Sequence, residues 1–440
     1  MTETMETAKR NIIICCDGTG NEISENISNV LKLYRCLRKT GKTEPRQLVF
    51  YDPGVGTLAR PDPWKKLRQD FSAILGLATG YGLDDKVLQS YHFLVHNYRE
   101  GDQIYLFGFS RGAYTVRVLA GLIHKVGLIS PEQVNLAGSG LTSYKQFSSD
   151  GQHGVDQKAL TDTAADEAGP LPANRDDQAA QFARILSTRW PTIRFVGIWD
   201  TVASVIVPRP DRFYVPSFEE LAFTLQNPSV QTFRQAISID ERRCMFRLKK
   251  WDQPQTFMHN RFSLTHNAEP QDILQCWFAG VHSDIGGGYP EKQSGLSKYP
   301  LIWMIDEAVK CGLKVDQRTV NTLAWGKDRK NSPFHYVKPD FRDQLHNSLH
   351  GAWWLLEFIP KLAKYREWPE RKVYFGFYIP DAEPRPIPDG AFVHESVIER
   401  MNDPALNYKP VNFPAQHQVI PMPAGPTEGV AAVEPAKDEV

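Results

Sequence analysis

The sequence predicts an α/β fold, in which a mostly parallel sheet carries helices on both faces and cap or insertion segments are added to it. Two observations lead to this prediction. Strand-like apolar runs alternate with helical patterns along residues 10–315, and such alternation is typical of parallel β-α-β units. Hydrophobic residues make up 41% of the 440 residues, which excludes a disordered chain and supplies a large core.

The N-terminal part of this pattern contains three strands with helices between them. Residues 11–17 form a β-branched run that indicates a buried strand, and residues 47–51 form a second, shorter strand. Residues 84–99 place apolar side chains at helical spacing. The strand 103–107 follows, and the mostly apolar residues 111–124 then predict a buried helix.

The pattern resumes after a polar stretch. Residues 192–200 predict a strong strand, residues 272–281 predict another strand before a glycine-rich turn, and residues 301–310 predict a helix. We take residues 10–315 as one domain, because α/β folds often use about 250 residues or more as a single unit.

Four further segments are assigned from their composition. The polar residues 150–176 predict an exposed insertion, and the mixed residues 208–260 are a candidate cap over the strand ends. Residues 316–408 predict a helical or irregular extension packed on the domain. Residues 409–440 are rich in Pro, Ala and Glu, which is typical of a disordered tail.

Charge and cysteine content exclude several classes of partner and site. The 51 basic and 51 acidic residues cancel, which argues against a protein that binds nucleic acid by neutralising phosphates. The six cysteines are scattered without the paired spacing of a zinc site, so we predict no metal and no cofactor. The first ten residues lack the apolar core of a secretory signal, and no apolar run reaches about 18 residues. We therefore expect a cytoplasmic chain in the producing cell, whose export would need no cleaved signal.

A serine nucleophile is indicated by Gly108-Phe109-Ser110-Arg111-Gly112, which fits the pattern G-x-S-x-G. The pattern follows a predicted strand and opens a predicted helix, as the nucleophile elbow of an α/β-hydrolase fold requires. The two glycines let strand and helix approach closely, and the turn exposes the Ser110 hydroxyl at the C-terminal edge of the sheet. A serine that only caps the helix is the structural alternative.

A histidine base and an acid to orient it are also present. His282 follows a strand and opens a turn with three glycines, and Asp200 ends another strand. The chain order Ser110, Asp200, His282 is the order of this fold. Asp284 and Asp17 are rival acids. Asp284 ranks second, because a residue two positions away on a tight turn has poor geometry for pairing, and we expect it to hold its own loop by accepting backbone N–H groups.

Two backbone amides are candidates for the oxyanion hole. One belongs to Arg111, the residue after the nucleophile. The other belongs to Gly18 or Thr19, in the short loop that follows the first strand, where glycines let N–H groups point inward. We expect Asp17 to order this loop by accepting backbone hydrogen bonds.

Five sequence blocks together resemble the α/β-hydrolase domain family that includes the catalytic domain of type VI secretion phospholipase effectors. In chain order they are CDGTGN, GFSRGAYTVRVLAGLI, VGIWDTVAS, AISIDERRCMF and WFAGVHSDIGGGYPE. The resemblance implies a Ser–Asp–His triad on Ser110, Asp200 and His282. It also implies hydrolysis of ester bonds, which in the studied effectors are those of phospholipids. Those effectors commonly carry extra membrane-facing modules, whereas this chain has only a modest C-terminal region.

The leading hypothesis is a serine esterase or lipase that cleaves carboxylic esters, lipid or phospholipid acyl esters above all, through an acyl-enzyme. A metal-dependent phosphoesterase is the first alternative, with Asp17, Asp200, His282 and Asp284 as ligands. A non-catalytic interaction protein on a hydrolase scaffold is the second.

Peripheral membrane contact is a further hypothesis, carried by the apolar run Trp353-Trp354-Leu355-Leu356. Tryptophan side chains suit the boundary between water and lipid. An ordinary helix packed on the core is the alternative interpretation of the same run.

Overall fold

The computed structural model describes residues 9–18, 26–54, 82–154, 178–186, 188–202, 206–208, 216–218, 221–259, 268–330, 332–351 and 353–426. Its strands, in chain order, are β1 (Asn11–Cys16), β2 (Gln47–Asp52), β3 (Gln103–Phe109), β4 (Ile193–Trp199), β5 (Ile206–Pro208), β6 (Pro216–Phe218), β7 (Val230–Ser238), β8 (Thr256–Phe257), β9 (Glu269–Pro270), β10 (Asp272–Phe278), β11 (Lys361–Leu362), β12 (Val373–Tyr374), β13 (Phe377–Tyr378), β14 (Ala391–His394) and β15 (His417–Ile420).

The α-helices of the described residues follow in chain order. They are α1 (Asn29–Cys36), α2 (Leu83–Asn97), α3 (Arg111–Val126), α4 (Ala137–Gly154), α5 (Gln178–Ile185), α6 (His282–Gly286), α7 (Gly295–Lys310), α8 (Gln317–Leu323), α9 (Trp353–Glu357) and α10 (Glu395–Asn402). None of them is long and apolar enough to cross a bilayer.

An eight-stranded sheet forms the centre, in the order β15-β14-β10-β7-β4-β3-β1-β2. Every neighbouring pair of these strands is parallel. One face packs against α2, α3 and α4, and the other packs against α1, α7 and α8. A parallel sheet buried on both faces needs apolar strands, and the six residues of β1 are indeed all buried. The predicted α/β class is confirmed.

The candidate cap at 208–260 needs correction, because it contains a central strand. β7 lies between β4 and β10 and is paired with both along its length. Its sequence, VQTFRQAIS, carries polar residues that nevertheless are buried. Arg234 is satisfied by Glu307 at 2.6 Å and Asp272 at 2.8 Å, and Gln235 accepts a hydrogen bond from Arg117 at 3.0 Å. These partners make a mixed sequence compatible with the middle of a sheet.

The C-terminal extension is part of the sheet and is not only packed on it. β14 pairs with β10, and β15 pairs with β14 in register from Ala391 with His417 to His394 with Ile420. The boundary of the predicted disordered tail, at residue 409, is therefore wrong for the described residues up to 426. The remainder of that tail, and most of the predicted insertion at 150–176, lie outside the described residues.

The strand order creates a topological switch point in the sheet. β1 lies between β2 and β3. The chain adds β2 on one side of β1 and then crosses to the other side to add β3, so the strand order reverses between β1 and β3. Ligands of open α/β sheets bind at the carboxyl ends of the strands at such a switch point. Asp17 follows β1 and Ser110 follows β3, so both lie at this crevice.

Candidate active site

Ser110 lies on a strained turn between β3 and α3. Its backbone has φ 56° and ψ −122°, a region that residues with a side chain rarely adopt. Two hydrogen bonds hold the turn: the Ser110 amide donates to the Trp199 carbonyl at 3.2 Å, and the Ser110 carbonyl accepts from the Tyr114 amide at 3.3 Å. The sequence pattern thus has the strand, turn and helix setting of a nucleophile elbow.

Gly108 and Gly112 flank this turn because it leaves no room for a β-carbon at either position. A β-carbon on Gly108 would lie 2.5 Å from the Gly112 carbonyl oxygen. A β-carbon on Gly112 would lie 2.1 Å from the Cys16 carbonyl oxygen at the end of β1. The two glycines therefore let α3 begin directly against the strand ends.

Asp200 and His282 form a buried pair beside this turn. His282 Nδ1 donates to Asp200 Oδ2 at 2.6 Å, and both side chains are almost completely buried. Trp199, whose carbonyl holds Ser110, directly precedes Asp200 in the chain. Phe109, the residue before Ser110, contacts the His282 ring with 4.7 Å between centroids. The structure therefore pairs Asp200 with His282 directly, and it places the backbone turn of Ser110 next to both through its neighbours Trp199 and Phe109.

The second ring nitrogen of His282 is the atom that a general base would use. Among the described residues, Nε2 has no hydrogen-bond partner, although it is buried. Phe109 and Phe246 flank the ring at 4.7 and 4.9 Å, and the His282 amide donates to Glu241 at 3.2 Å. Because these contacts fix the ring, Nδ1 stays on Asp200 and Nε2 is left for a proton from a hydroxyl group.

Arg385, which the sequence analysis did not select, also binds Asp200. Its Nη1 donates to Asp200 Oδ1 at 2.6 Å and its Nη2 donates to Asp200 Oδ2 at 3.1 Å. The same guanidinium donates to the Ser238 hydroxyl at 2.7 Å and to the Phe246 carbonyl at 2.6 Å. Arg385 belongs to the C-terminal extension, so the extension supplies part of the environment of the candidate acid.

The charges of the site favour ionised Asp200 and neutral His282. Burial by itself would raise the pKa of Asp200, but the charge of Arg385 and the His282 hydrogen bond hold that pKa well below its usual range. Burial lowers the pKa of His282, and the hydrogen bond and charge of Asp200 only partly oppose this effect. At neutral pH the imidazole is therefore neutral and able to accept a proton.

Asp284, the second-ranked candidate for the acid, binds groups other than the His282 ring in the described structure. Its Oδ2 accepts from the Val281 amide at 3.0 Å, which is the loop-holding role expected from the sequence. Its Oδ1 pairs with His346 Nδ1 at 2.6 Å, and the His346 ring stacks on Tyr289. Asp284 thus ties the glycine-rich turn to the C-terminal extension.

Asp17 accepts one of the expected backbone hydrogen bonds and two from hydroxyl groups, whereas residues 19–25 of the loop after β1 lie outside the described residues. It accepts from the Gly18 amide at 2.7 Å, from the Tyr51 hydroxyl at 2.8 Å and from the Ser28 hydroxyl. The Gly18 amide, one of the predicted oxyanion donors, is therefore already engaged in this arrangement. The other, Thr19, lies outside the described residues. The Arg111 amide belongs to the first turn of α3, whose N–H groups point out of the helix end.

The ligand set of the metal-dependent alternative is not assembled in the described residues. Asp17 binds Ser28 and Tyr51, Asp200 and His282 bind each other, and Asp284 binds His346. Among those residues, no group of three or more His, Cys, Asp and Glu side chains is arranged to hold a metal ion.

Glu241 is a second residue of the site that the sequence analysis missed. It accepts from the His282 amide at 3.2 Å, from the Ser348 hydroxyl at 3.0 Å and from Arg243 at 2.8 Å. Burial alone would raise the pKa of Glu241, but the charge and hydrogen bonds of Arg243 lower it to about 2. Had β7 been recognised as a strand, an acid three residues beyond its C-terminal end would have been a candidate.

Comparison with known proteins assigns a family to the chain. The family described as T6SS, phospholipase effector Tle1-like, catalytic domain, matches residues 10–307, which is more than half of the chain. The uncharacterised protein YEL023C of Saccharomyces cerevisiae is 31% identical over 263 residues, which are 58% of this chain and 35% of that protein. The chain thus spans about a third of the length of this curated relative.

Two solved structures resemble the chain at low sequence identity. An uncharacterised protein from Pseudomonas aeruginosa is 17% identical with a TM-score of 0.37, over 70% of this chain and 46% of that one. The Tle1 effector bound to the VgrG spike from the type 6 secretion system is 18% identical with a TM-score of 0.30, over 66% and 53%.

The family match and the site coincide along the chain. Residues 10–307 include Ser110, Asp200 and His282, whereas Arg385 lies beyond them. The chain belongs to the Tle1-like phospholipase effector catalytic domain family of type VI secretion systems, a family of lipid ester hydrolases.

Proposed function

We propose that the chain is a serine hydrolase that cleaves the acyl esters of lipids, and of phospholipids in particular, through an acyl-enzyme. The observation that carries this proposal is the buried Asp200–His282 pair, 2.6 Å apart, beside the strained turn of Ser110. Membership of a phospholipase effector family of type VI secretion systems supports a lipid ester as the substrate, and supports export of the chain.

In the acylation step, Ser110 Oγ attacks the ester carbonyl carbon and its proton moves to His282 Nε2. Asp200 accepts the Nδ1–H and stabilises the imidazolium that forms. Negative charge develops on the carbonyl oxygen at the N-terminus of α3, where the Arg111 amide and the helix dipole stabilise it. His282 then protonates the leaving alcohol.

Deacylation uses the same groups with water as the nucleophile. His282 Nε2 removes a proton from water, the hydroxide attacks the acyl-enzyme, and the fatty acid leaves as Ser110 Oγ regains its proton. The lowered pKa of His282 suits both steps, because only neutral imidazole accepts a proton.

Fluorophosphonate labelling of the purified chain, with and without EDTA, tests this chemistry. We expect covalent labelling at Ser110 that survives EDTA, together with turnover in a panel of phospholipids and simple acyl esters. Turnover that needs a metal ion and leaves Ser110 unlabelled would favour the phosphoesterase alternative instead. The absence of both signals would favour a non-catalytic protein.

Arg385 is proposed as a positioning residue that acts through Asp200. Arg385→Gln removes the positive charge beside the Asp200–His282 pair, so Asp200 stabilises the imidazolium more strongly and the pKa of His282 rises. The acidic limb of the kcat/KM profile is therefore expected to move to higher pH, since His282 must be neutral to act. We also expect kcat to fall about 10- to 100-fold, less than for loss of the acid itself. Kinetics on a soluble ester across pH measure both effects.

Two further variants separate positioning from general stability. Arg385→Lys keeps the charge but loses the two-pronged contact, so its acidic limb should stay near that of the wild type while kcat falls. Arg342→Gln removes an exposed arginine of the same extension, paired with Asp403 at 2.6 Å, and should change neither quantity. An Arg385→Gln profile with an unmoved acidic limb would contradict the proposed role.

A further inference from the structure

Exposed apolar side chains are concentrated in one short part of the described chain. Of the fourteen large apolar side chains that are exposed there, nine lie between residues 354 and 379. Single exposed apolar residues are normal on a protein surface, but a contiguous group marks a site of interaction. We call this group the aromatic hairpin surface and define it by Leu355, Phe358, Ile359, Tyr374, Phe375 and Phe377.

The two halves of the aromatic hairpin surface are joined by backbone hydrogen bonds. β11, which follows the α9 segment, pairs antiparallel with β13, and β13 pairs with β12. The Glu357 carbonyl accepts from the Asp381 amide at 3.1 Å, so the end of α9 lies beside the end of β13. The exposed apolar residues at 355–359 and at 374–377 therefore belong to adjoining segments of one backbone-bonded unit.

The tip of the β12–β13 hairpin places phenylalanine in a backbone conformation that this residue type rarely adopts. β12 and β13 are joined by two residues, Phe375 and Gly376, with φ 50° and 80°. Positive φ at both positions is typical of a type I′ turn, for which Asn-Gly is the preferred pair. Phe375 instead places a bulky side chain in the left-handed region, and this side chain is 100% exposed. Packing within the chain does not explain the ring, and such a conformational cost is typical of functional positions.

The surface begins close to the proposed active site. Trp353, at the start of α9, contacts the Phe246 ring edge-on with 5.4 Å between centroids, and Phe246 contacts His282 at 4.9 Å. The sequence hypothesis of membrane contact by Trp353-Trp354-Leu355-Leu356 therefore applies to only part of this run. Trp353 packs towards the site, whereas Trp354 and Leu355 are exposed.

Cationic side chains lie next to the apolar ones. Lys364, Arg366 and Lys372 are exposed in the same segment, and Glu370 is the exposed acid between them. Aromatic rings next to lysine and arginine are the combination found at the boundary between water and a lipid bilayer, especially an anionic one.

We propose that the aromatic hairpin surface docks onto the face of a phospholipid bilayer, with Phe375 inserted among the lipids and the three cations at the head groups. This inference rests on the proposed function, since a bilayer presents the substrate that the site would cleave. The ring contacts through Trp353 and Phe246 connect the start of α9, two residues before Leu355, to His282. A second copy of the chain is the competing occupant of such an apolar surface.

Phe375→Asn tests the proposal with little risk to the fold, because it creates the Asn-Gly pair that the turn prefers. The matched control is Phe334→Asn, which changes an exposed phenylalanine two residues from Tyr336, a partner of Arg35 in α1. Both are placed in the Ser110→Ala background. Co-sedimentation is measured with vesicles of phosphatidylcholine and phosphatidylglycerol, and with vesicles of phosphatidylcholine alone.

We expect Phe375→Asn to weaken vesicle binding about tenfold or more, because one phenylalanine ring is no longer transferred from water into the lipid. Phe334→Asn should bind like its parent. Lys364→Gln and Lys372→Gln should each weaken binding to the anionic vesicles about fivefold. With Ser110 present, the ratio of turnover on vesicles to turnover of a soluble ester should fall together with binding in Phe375→Asn.

Three results would overturn the docking proposal: no vesicle binding by the parent, equal binding by Phe375→Asn, or a dimer in solution that Phe375→Asn dissociates. Vesicle binding that depends on Phe375, in a chain without any esterase activity, would keep the docking surface and remove the proposed hydrolase function. The two failures are therefore distinguishable.

Discussion

Replacing Ser110 with alanine is expected to lower kcat for ester hydrolysis by about 10⁶-fold, as loss of the nucleophile does in serine proteases. Alanine keeps the β-carbon and removes only the hydroxyl. The hydrogen bonds that hold the turn use the backbone of Ser110, Trp199 and Tyr114 and stay in place. The free energy of unfolding should therefore change by less than about 1 kcal/mol. Turnover of a soluble ester and thermal unfolding measure the two quantities.

Ser110→Gly provides the control for the backbone strain at this position. Glycine adopts φ 56° without the steric cost that a β-carbon brings, so this variant should be equally inactive but more stable than Ser110→Ala by about 1 kcal/mol. A stable Ser110→Ala protein that kept more than a small fraction of wild-type kcat would show that another residue is the nucleophile.

The parts of the fold that could be predicted are those where local sequence and tertiary role agree. β1, β3 and β4 are apolar runs buried on both faces, and α2 and α3 repeat apolar residues at helical spacing. β7 was missed because its buried polar side chains find partners on distant segments, such as Arg117 on α3. No local pattern reports such partners, so a mixed sequence in the centre of a sheet resembles a loop.

The residues of the site likewise include some that could be predicted from the sequence and some that could not. Ser110 and Asp200 directly follow recognisable strands, and His282 lies four residues after the end of a third, so all three lie at one edge of a parallel sheet. Arg385 lies 185 positions after Asp200 in a proline-rich stretch without strand or helix periodicity. Its role depends on how the extension folds back, and this could not be derived from spacing. The conformation of Phe375 is likewise visible only once the hairpin register is known.

The second large effect is expected at Asp200, the acid proposed to orient His282. All four described donors to Asp200 need an oxygen acceptor: His282 Nδ1, the Ser238 amide and the two Arg385 nitrogens. In Asp200→Asn only one oxygen remains. The oxygen is expected to face Arg385 Nη1 and the Ser238 amide, so the new NH₂ group faces His282. The ring must then accept at Nδ1 and carry its proton on Nε2, where it cannot take a proton from Ser110. We expect kcat to fall about 10⁴-fold.

The structure changes the stability expected of this variant. Asp200 also neutralises the buried Arg385, a partner that the sequence analysis did not select. Loss of that charge should lower the free energy of unfolding by about 3–5 kcal/mol. The double variant Asp200→Asn/Arg385→Gln removes the uncompensated cation, so it should recover part of the stability and none of the activity.

Asp284→Asn is the matched comparison, since it changes the rival acid two residues from His282. Its oxygen can still accept from the Val281 amide and its NH₂ group can donate to His346, so we expect a loss of about 1–2 kcal/mol in stability. Because Asp284 does not contact the His282 ring in the described structure, kcat should stay within about tenfold of the wild type, as no orienting hydrogen bond is lost.

Chemical unfolding and steady-state kinetics on a soluble ester separate the two carboxylates. An inactive but stable Asp284→Asn beside an active Asp200→Asn would transfer the orienting role to Asp284, and the 2.6 Å contact between Asp200 and His282 would then serve the fold alone.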